Sequence, residues 1–214
     1  MNYWDKIAGD FDAKRKFPWK ECLDFIKDID GKCLDLGCGG GRHLAAMKEK
    51  CFAVGADLSF SMLEIAKEKA GDAFLVCCDA RNLPFLDETF DNALFIATLH
   101  NIEGREGRIK ALRELRRVLK KEGKAIISVW AKWQDRFILH FIKKFLKKQG
   151  EHGDILVPWK KNGEEIMRFY HLYSMIEFKK ELKESGFKIE KAWSVKKASK
   201  WLKDNHFAIV RKEN

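Results

Sequence analysis

The residues of this 214-residue chain best suited to chemistry form one run, Leu34-Asp35-Leu36-Gly37-Cys38-Gly39-Gly40-Gly41-Arg42. A strand-like stretch precedes it and a helical pattern comes after it. Glycines at such a junction let the backbone turn tightly and approach a ligand closely. The amides that open the next helix can receive a carboxylate or a phosphate. The run departs from the dinucleotide fingerprint: Gly-x-Gly-x-x-Gly starting at Gly37 needs glycine at 42, where Arg42 stands. It also carries an acid, Asp35, two residues before the first glycine. Cysteine chemistry is not expected. Cys22, Cys33, Cys38, Cys51, Cys77 and Cys78 make no Cys-x-x-Cys pair, so no metal ligands are assigned to this chain. Most of them sit in apolar runs, where cysteine behaves as a small hydrophobe.

The glycine run with its preceding acid resembles motif I of the Rossmann-like methyltransferases, which use S-adenosylmethionine. The resemblance implies roles for further acids. Asp57, at the end of the second strand, would accept hydrogen bonds from both ribose hydroxyls. Asp79, in Cys77-Cys78-Asp79-Ala80 after the third strand, would receive the adenine amino group. Phe90-Asp91-Asn92-Ala93-Leu94 matches the strand-four motif. The implied cofactor set is Asp35, Gly37, Cys38, Gly39, Asp57, Leu58, Asp79, Ala80, Arg81 and Ala97. A single aspartate is more often a helix cap or a turn residue. Four matches in order, at strand ends of one sheet, carry the assignment.

The residues after strand four bear on the acceptor. Amino-methylating relatives often carry Asn/Asp-Pro-Pro-aromatic there, and this chain has Ala97-Thr98-Leu99-His100-Asn101. It has no Pro-Cys context for covalent pyrimidine chemistry. From about Tyr3 to Val210 the chain resembles the tRNA methyltransferases that esterify 5-carboxymethyluridine at the wobble position. The matching stretches are Phe11–Trp19, Ile96–His100 with Arg105 and Arg108, Val129-Trp130-Ala131, Val157-Pro158-Trp159, Arg168–Tyr173 and Asp204–Ile209. Members more often have Trp at 206, and often a second His at 101, where this chain has His206 and Asn101.

A carboxylate, with an ordinary pKa near ~4, is already a nucleophile at neutral pH and needs a cationic clamp rather than a base. The resemblance implies Arg15, Arg168 and His171 for that clamp, His100 facing methyl donor and uridine, and Tyr170 stacking on the base or shaping the pocket. Each has a plainer alternative: Arg15 as a bridge to the sheet, His100 as a satisfied buried histidine, and Tyr170 and Tyr173 as core. Trp130, Trp133 and Trp159 read as packing before base-stacking. The resemblance also implies two partners. One is the tRNA anticodon loop. The other is a small zinc-containing activator subunit along the edge strand 73–78, an apolar edge that needs a cover. Rival functions are a small-metabolite methyltransferase on the same fold and a non-catalytic RNA-binding protein with a vestigial cofactor pocket.

These residues must be held by the elements around them. Lys32–Leu36, Cys51–Asp57, Ala73–Cys78, Phe90–Ile96 and Gly123–Val129 read as buried strands. Arg42–Lys48, Phe60–Ala70 and Arg108–Leu119 read as helices between them. Such alternation implies parallel strands joined by right-handed crossovers. Ser174-Met175-Ile176-Glu177 is a capping box opening a helix to about Glu184, which Ser185-Gly186 stops. Lys188–Val195 and His206–Arg211 then close the sheet. The expected fold is α/β: a Rossmann-like seven-stranded class I methyltransferase fold. Its sheet is mostly parallel with a C-terminal antiparallel hairpin, and helices lie on both faces. One domain, 1–214, is expected, with an insertion at about 131–173 whose Phe137–Leu146 segment reads as an amphipathic helix. The net charge is +10, and residues 131–214 carry 20 Lys+Arg against 11 Asp+Glu, so the basic excess lies in the C-terminal part. That suits either a polyanion surface or a solvated lysine face. The N-terminus lacks a signal-peptide pattern and no run suits a membrane span, so a cytoplasmic protein without disulfides is expected.

Overall fold

The structure is a computed structural model that describes residues 2–138, 140–142, 151–161 and 163–213. Its main sheet has the strand order β3-β2-β1-β4-β5-β9-β8. The strands are β1 Lys32–Leu36, β2 Phe52–Asp57, β3 Phe74–Cys77, β4 Phe90–Ile96, β5 Leu119–Trp130, β8 Phe187–Val195 and β9 Asn205–Lys212. Strands β1 to β5 pair in parallel, and β9 runs antiparallel to both β5 and β8. The seven-stranded, mostly parallel architecture expected from the sequence is therefore present, with its closing hairpin.

Strand alternation builds one core on each face of the sheet. Leu34, Leu36, Ala93, Phe95, Ala125 and Ile127 point to one side. There they meet α5 (Arg105–Val118) through Leu112 and Leu115, and α6 (Met175–Glu184) through Phe178 and Leu182. Cys33, Leu94, Ile96 and Ile126 point to the other side, against Cys22 and Ile26 of α2 (Lys20–Ile26) and Leu44 and Met47 of α3 (Leu44–Met47). The period-2 pattern of a strand buried on both faces forces this sandwich. At α6 the Ser174 hydroxyl accepts from the Glu177 amide, and the Glu177 carboxylate accepts in return from the Ser174 amide, so the expected capping box is formed.

Several elements differ from the sequence reading. Helix α5 begins three residues earlier, at Arg105, and β5 starts directly at Leu119. A shift in the β4–β5 register, with Glu122 at φ 63°, absorbs Lys120–Gly123 into the strand as an irregularity. A helix α1 (Tyr3–Ala13) opens the chain, capped by a reciprocal Asn2/Asp5 pair, and α4 (Phe60–Ala70) lies beside it. The insertion contains an antiparallel hairpin, β6 (Asp154–Lys161) with β7 (Glu164–His171). Its inner face buries Ile155, Val157 and Tyr170 with Phe137 and Phe141. Of the expected Phe137–Leu146 helix, Ile138 and His140–Ile142 are helical, and residues 139 and 143–146 lie outside the described residues.

Candidate active site

A cleft opens at the C-terminal end of the parallel strands, where the order reverses between β1 and β4. This is the position at which open α/β sheets bind ligands. The glycine turn forms its floor. Gly37 has φ 71°, and a Cβ there would lie 2.2 Å from the Thr98 hydroxyl oxygen, so only glycine fits. The amides of Gly37 and Cys38 donate to the Ala56 carbonyl at 2.7 and 3.1 Å, which ties the turn to the end of β2. Asp57 closes β2 with its carboxylate accepting from the Gly39 amide at 2.8 Å and the Ser59 amide at 2.9 Å. Burial raises its pKa, against the pull of those two amides.

Asp35 lies beneath the turn, 1% exposed, and its Oδ2 has no hydrogen-bond partner. Burial lifts its pKa to about 7, with Arg42 pulling down and Asp57 pushing up. Asp79, which also lines the cleft, is gripped by Arg81, whose Nη2 donates at 2.6 Å; that pairing is the first cause of its lowered pKa. Cys38, Leu58, Ala80 and Ala97 also line the cleft, whereas Arg81 faces its outer rim. Ala97 has φ 52°, a strained conformation for a residue with a Cβ, fixed by its amide donating to the Ser128 hydroxyl and carbonyl. Asn101 donates to the Ala97 carbonyl and leaves its buried Oδ1 without a partner. The glycine turn, the Asp57 carboxylate and the orphaned Asn101 oxygen line the cleft and fit an amino-acid-bearing nucleoside such as S-adenosylmethionine, while Asp35 is buried behind the cleft lining.

Helix α1 roofs the cleft with Trp4, Phe11, Asp12 and, just beyond its end, Arg15. Asp5 accepts from the Ser59 hydroxyl at 2.6 Å, and Lys69 donates to Asp12 at 2.5 Å, which fasten α1 to α4. On the other side Trp159 donates to Asp10 at 2.8 Å, so the hairpin holds the same helix. Arg168 of that hairpin donates from Nη1 to the Tyr170 hydroxyl at 2.6 Å and stacks 4.6 Å from the Trp159 ring. Arg15 lies 3.5 Å from the Phe11 ring. Arg42 lies 4.8 Å from the Trp19 ring. Arg168 is buried and the other two are half-buried. Among the described residues none of the three is within ion-pair reach of a carboxylate. Burial pulls all three pKa values down, Arg15 to about 10. Asp35 and Asp12 offset part of that loss at Arg42, whereas Arg15 and Arg168 have no such neighbour and form a site that lacks its anion.

The fold brings Arg15, Arg168 and Tyr170 together, with His100 packed against Tyr170 but outside the cleft lining, and His171 held in a separate carboxylate network. His100, 1% exposed, accepts the Trp130 amide at Nδ1 (3.1 Å). Burial drives its pKa to about 3, so it is neutral, with its proton on Nε2. Its ring packs against Trp130 and Tyr170, which stack on each other at 4.7 Å, and it does not line the cleft.

His171 is fully buried between carboxylates, with Asp154 at 2.7 Å on Nδ1 and Glu177 at 3.1 Å on Nε2. Burial pushes its pKa down, and the two carboxylates outweigh that, so the net shift is upward. Glu151, Asp154 and His171 place ligand-type atoms within 4.8 Å of one another, the grouping a metal ion would use. Here Arg108 already donates to Glu151 at 2.6 Å and to Glu181 at 3.1 Å, and Lys132 lies 3.7 Å from Glu177. Positive charge is supplied by side chains, and the network fastens the base of the hairpin to α5 and α6. Sequence reasoning missed Trp4, Asp12, Arg42 and Asn101 as site residues. The Asn2-x-x-Asp5 cap was the available signal that the opening residues form an element at all.

The fold and the cofactor cleft define a class I S-adenosylmethionine-dependent methyltransferase. A family model described as a methyltransferase domain matches residues 34–127. A tRNA (carboxymethyluridine(34)-5-O)-methyltransferase of Xenopus tropicalis is 38% identical over 157 residues, which is 72% of this chain and 24% of that protein. An Encephalitozoon cuniculi protein assigned as a methyltransferase is 32% identical over 191 residues, covering 87% of this chain and 86% of that one. The crystal structure of a Methanosarcina mazei methyltransferase superposes with a TM-score of 0.74 at 21% identity, over 92% of this chain and 99% of the other, and shows the fold. The chain belongs to the S-adenosylmethionine-dependent methyltransferase family. It spans about a quarter of the length of the Xenopus relative.

Proposed function

We propose that this chain methylates the carboxylate of 5-carboxymethyluridine at the tRNA wobble position, giving the methyl ester. The observation that carries the proposal is the pair of desolvated arginines, Arg15 and Arg168, that stand together and form no ion pair with a carboxylate of the described residues. S-adenosylmethionine, when bound, supplies an electrophilic methyl group on a sulfonium. Asp57 and the Gly37–Gly39 turn hold the ribose side of the donor, and Asp79 with Arg81 borders the adenine side. Arg15 and Arg168 orient the acceptor carboxylate, or a neighbouring phosphate, and Tyr170 holds Arg168 in place. The roof of α1 aromatics excludes water. The acceptor is ionised at neutral pH, so no side chain has to remove a proton. His100, neutral and packed, shapes this wall rather than acting as an acid or base, and His171 anchors the hairpin that presents Arg168.

The surface suits the expected partners as well. The edge strand β3 exposes Phe74, which stacks at 4.9 Å on Phe52, and Leu58 and Phe60 are exposed close by in sequence. An apolar sheet edge of this kind suits a covering subunit, here the small zinc-containing activator. No helix among the described residues is long and apolar enough to cross a membrane. One domain carrying the 131–173 insertion is the arrangement proposed. Mass spectrometry of wobble nucleosides, after incubating bulk tRNA with S-adenosylmethionine, this chain and the activator, tests the function. Methyl transfer without any carboxymethyluridine ester would sink it.

A further inference from the structure

The β8–β9 loop, residues 196–204, is built more rigidly than its composition suggests. The Asp204 carboxylate accepts the amides of Lys197, Ala198 and Ser199 at 2.6–2.7 Å. The Asp135 carboxylate, from the neighbouring segment after β5, accepts those of Lys200, Trp201 and Leu202 at 2.6–3.1 Å. Six consecutive amides are thus pinned by two acids. What they present is Trp201, 76% exposed, with the Lys200 ammonium 5.0 Å from its ring centroid. Lys196 and Lys203 flank it, and residues 196–203 contain no acid. A rigid loop that shows a large aromatic ring to water among cations is costly for a fold and is the kind of surface on which bases stack.

Its position is as telling. Because β9 runs antiparallel to β5, Asn205 pairs with Trp130, and the loop stands on the same rim of the sheet as the cleft. Lys197 ties it to the site: its ammonium pairs with Glu21 at 2.5 Å and lies 5.4 Å from the Trp19 ring. The same ring meets Arg42, which lines the cleft. Beside this junction Phe17 is 81% exposed, next to Lys16.

We propose that Trp201, with Lys196, Lys200 and Lys203, is a nucleic-acid docking platform on which an unpaired base of the substrate RNA stacks outside the catalytic cleft. This rests on the tRNA reading of the cleft and adds where the RNA body is held. The test is fluorescence anisotropy of labelled, unfractionated tRNA against wild type, Trp201→Ala, Trp201→Phe and the double variant Lys200→Ala/Lys203→Ala, each over a series of salt concentrations. Trp201→Ala should weaken binding about tenfold without altering the salt slope, and Trp201→Phe should stay within about threefold of wild type. The lysine double variant should flatten the slope by about one to two units, as released counterions require. All variants should bind S-adenosylhomocysteine as wild type does, which controls for folding. Unchanged affinity in Trp201→Ala, or an equal loss in Trp201→Phe, overturns the platform while leaving the tRNA reading standing. Absence of salt-dependent tRNA affinity in the wild type overturns both.

Discussion

Arg168 donates a hydrogen bond from Nη1 to the Tyr170 hydroxyl at 2.6 Å, and both residues are buried on one hairpin strand whose registry sets them on the same face. The phenol is a weak partner for a guanidinium, and the Arg168 Nε has none. The charge is therefore held ready for a ligand. Arg168→Ala should lower kcat/KM for carboxymethyluridine tRNA about 30- to 200-fold, the worth of one charged hydrogen bond of about 2–3 kcal/mol. Titration calorimetry with S-adenosylmethionine should be unaffected. A variant with full esterification activity removes Arg168 from the clamp.

Asp57 has the opposite task and should show the opposite pattern. Its carboxylate positions the Gly39 amide and faces the cleft. Asp57→Ala should weaken S-adenosylmethionine binding by about 10- to 100-fold, through the lost acceptor and the freed glycine turn. Binding within about twofold of wild type would show that the ribose is held elsewhere.

Gly37 is the position where packing tolerates least. A methyl group there meets Thr98 Oγ1 at 2.2 Å and Cγ2 at 2.4 Å, on a backbone with φ 71°. Gly37→Ala should cost about 2–5 kcal/mol, the sum of left-handed strain and overpacking. Chemical denaturation measures it, and a loss under about 1 kcal/mol would mean the turn can relax.

The rate should be insensitive to pH where histidines ordinarily titrate. His100 is neutral, since burial takes its pKa to about 3, and an acceptor carboxylate is ionised above about pH 5. kcat, measured with saturating S-adenosylmethionine, should be flat between about pH 6 and 8, whereas kcat/KM for the donor follows Asp35, whose pKa in the free protein is about 7. A unit slope of kcat through that range would reveal an obligatory base and refute direct attack by a carboxylate.

Stability should behave differently. The folded-state pKa of His171 is raised, so its contribution is fully present below the ordinary histidine pKa near ~6.5 and is lost as pH climbs through the folded value. The melting temperature of wild type minus that of His171→Gln should be largest at about pH 6 and shrink as pH rises. His100 and His206, whose pKa values burial depresses to about 3 and 4, act in the other sense and withdraw stability as pH falls below about 6.5.

The cofactor half of this protein was legible in its residues because it is local. A strand, a glycine turn and a helix start within about ten residues, and an acid at or just past the end of each of the next two strands, are patterns that sterics and strand periodicity impose on short windows.

Only the tertiary structure decided the acceptor half. Arg15, Arg42, Arg168 and Tyr170 come from an N-terminal helix end, a glycine turn and a hairpin more than 120 residues later, and no window of sequence relates them. The same holds for the two histidines. Nothing in their spacing says that His100 accepts a backbone amide in a ring of aromatics, or that His171 bridges carboxylates from β6 and α6. Charge state follows from burial and neighbours, and those exist only once the chain has folded.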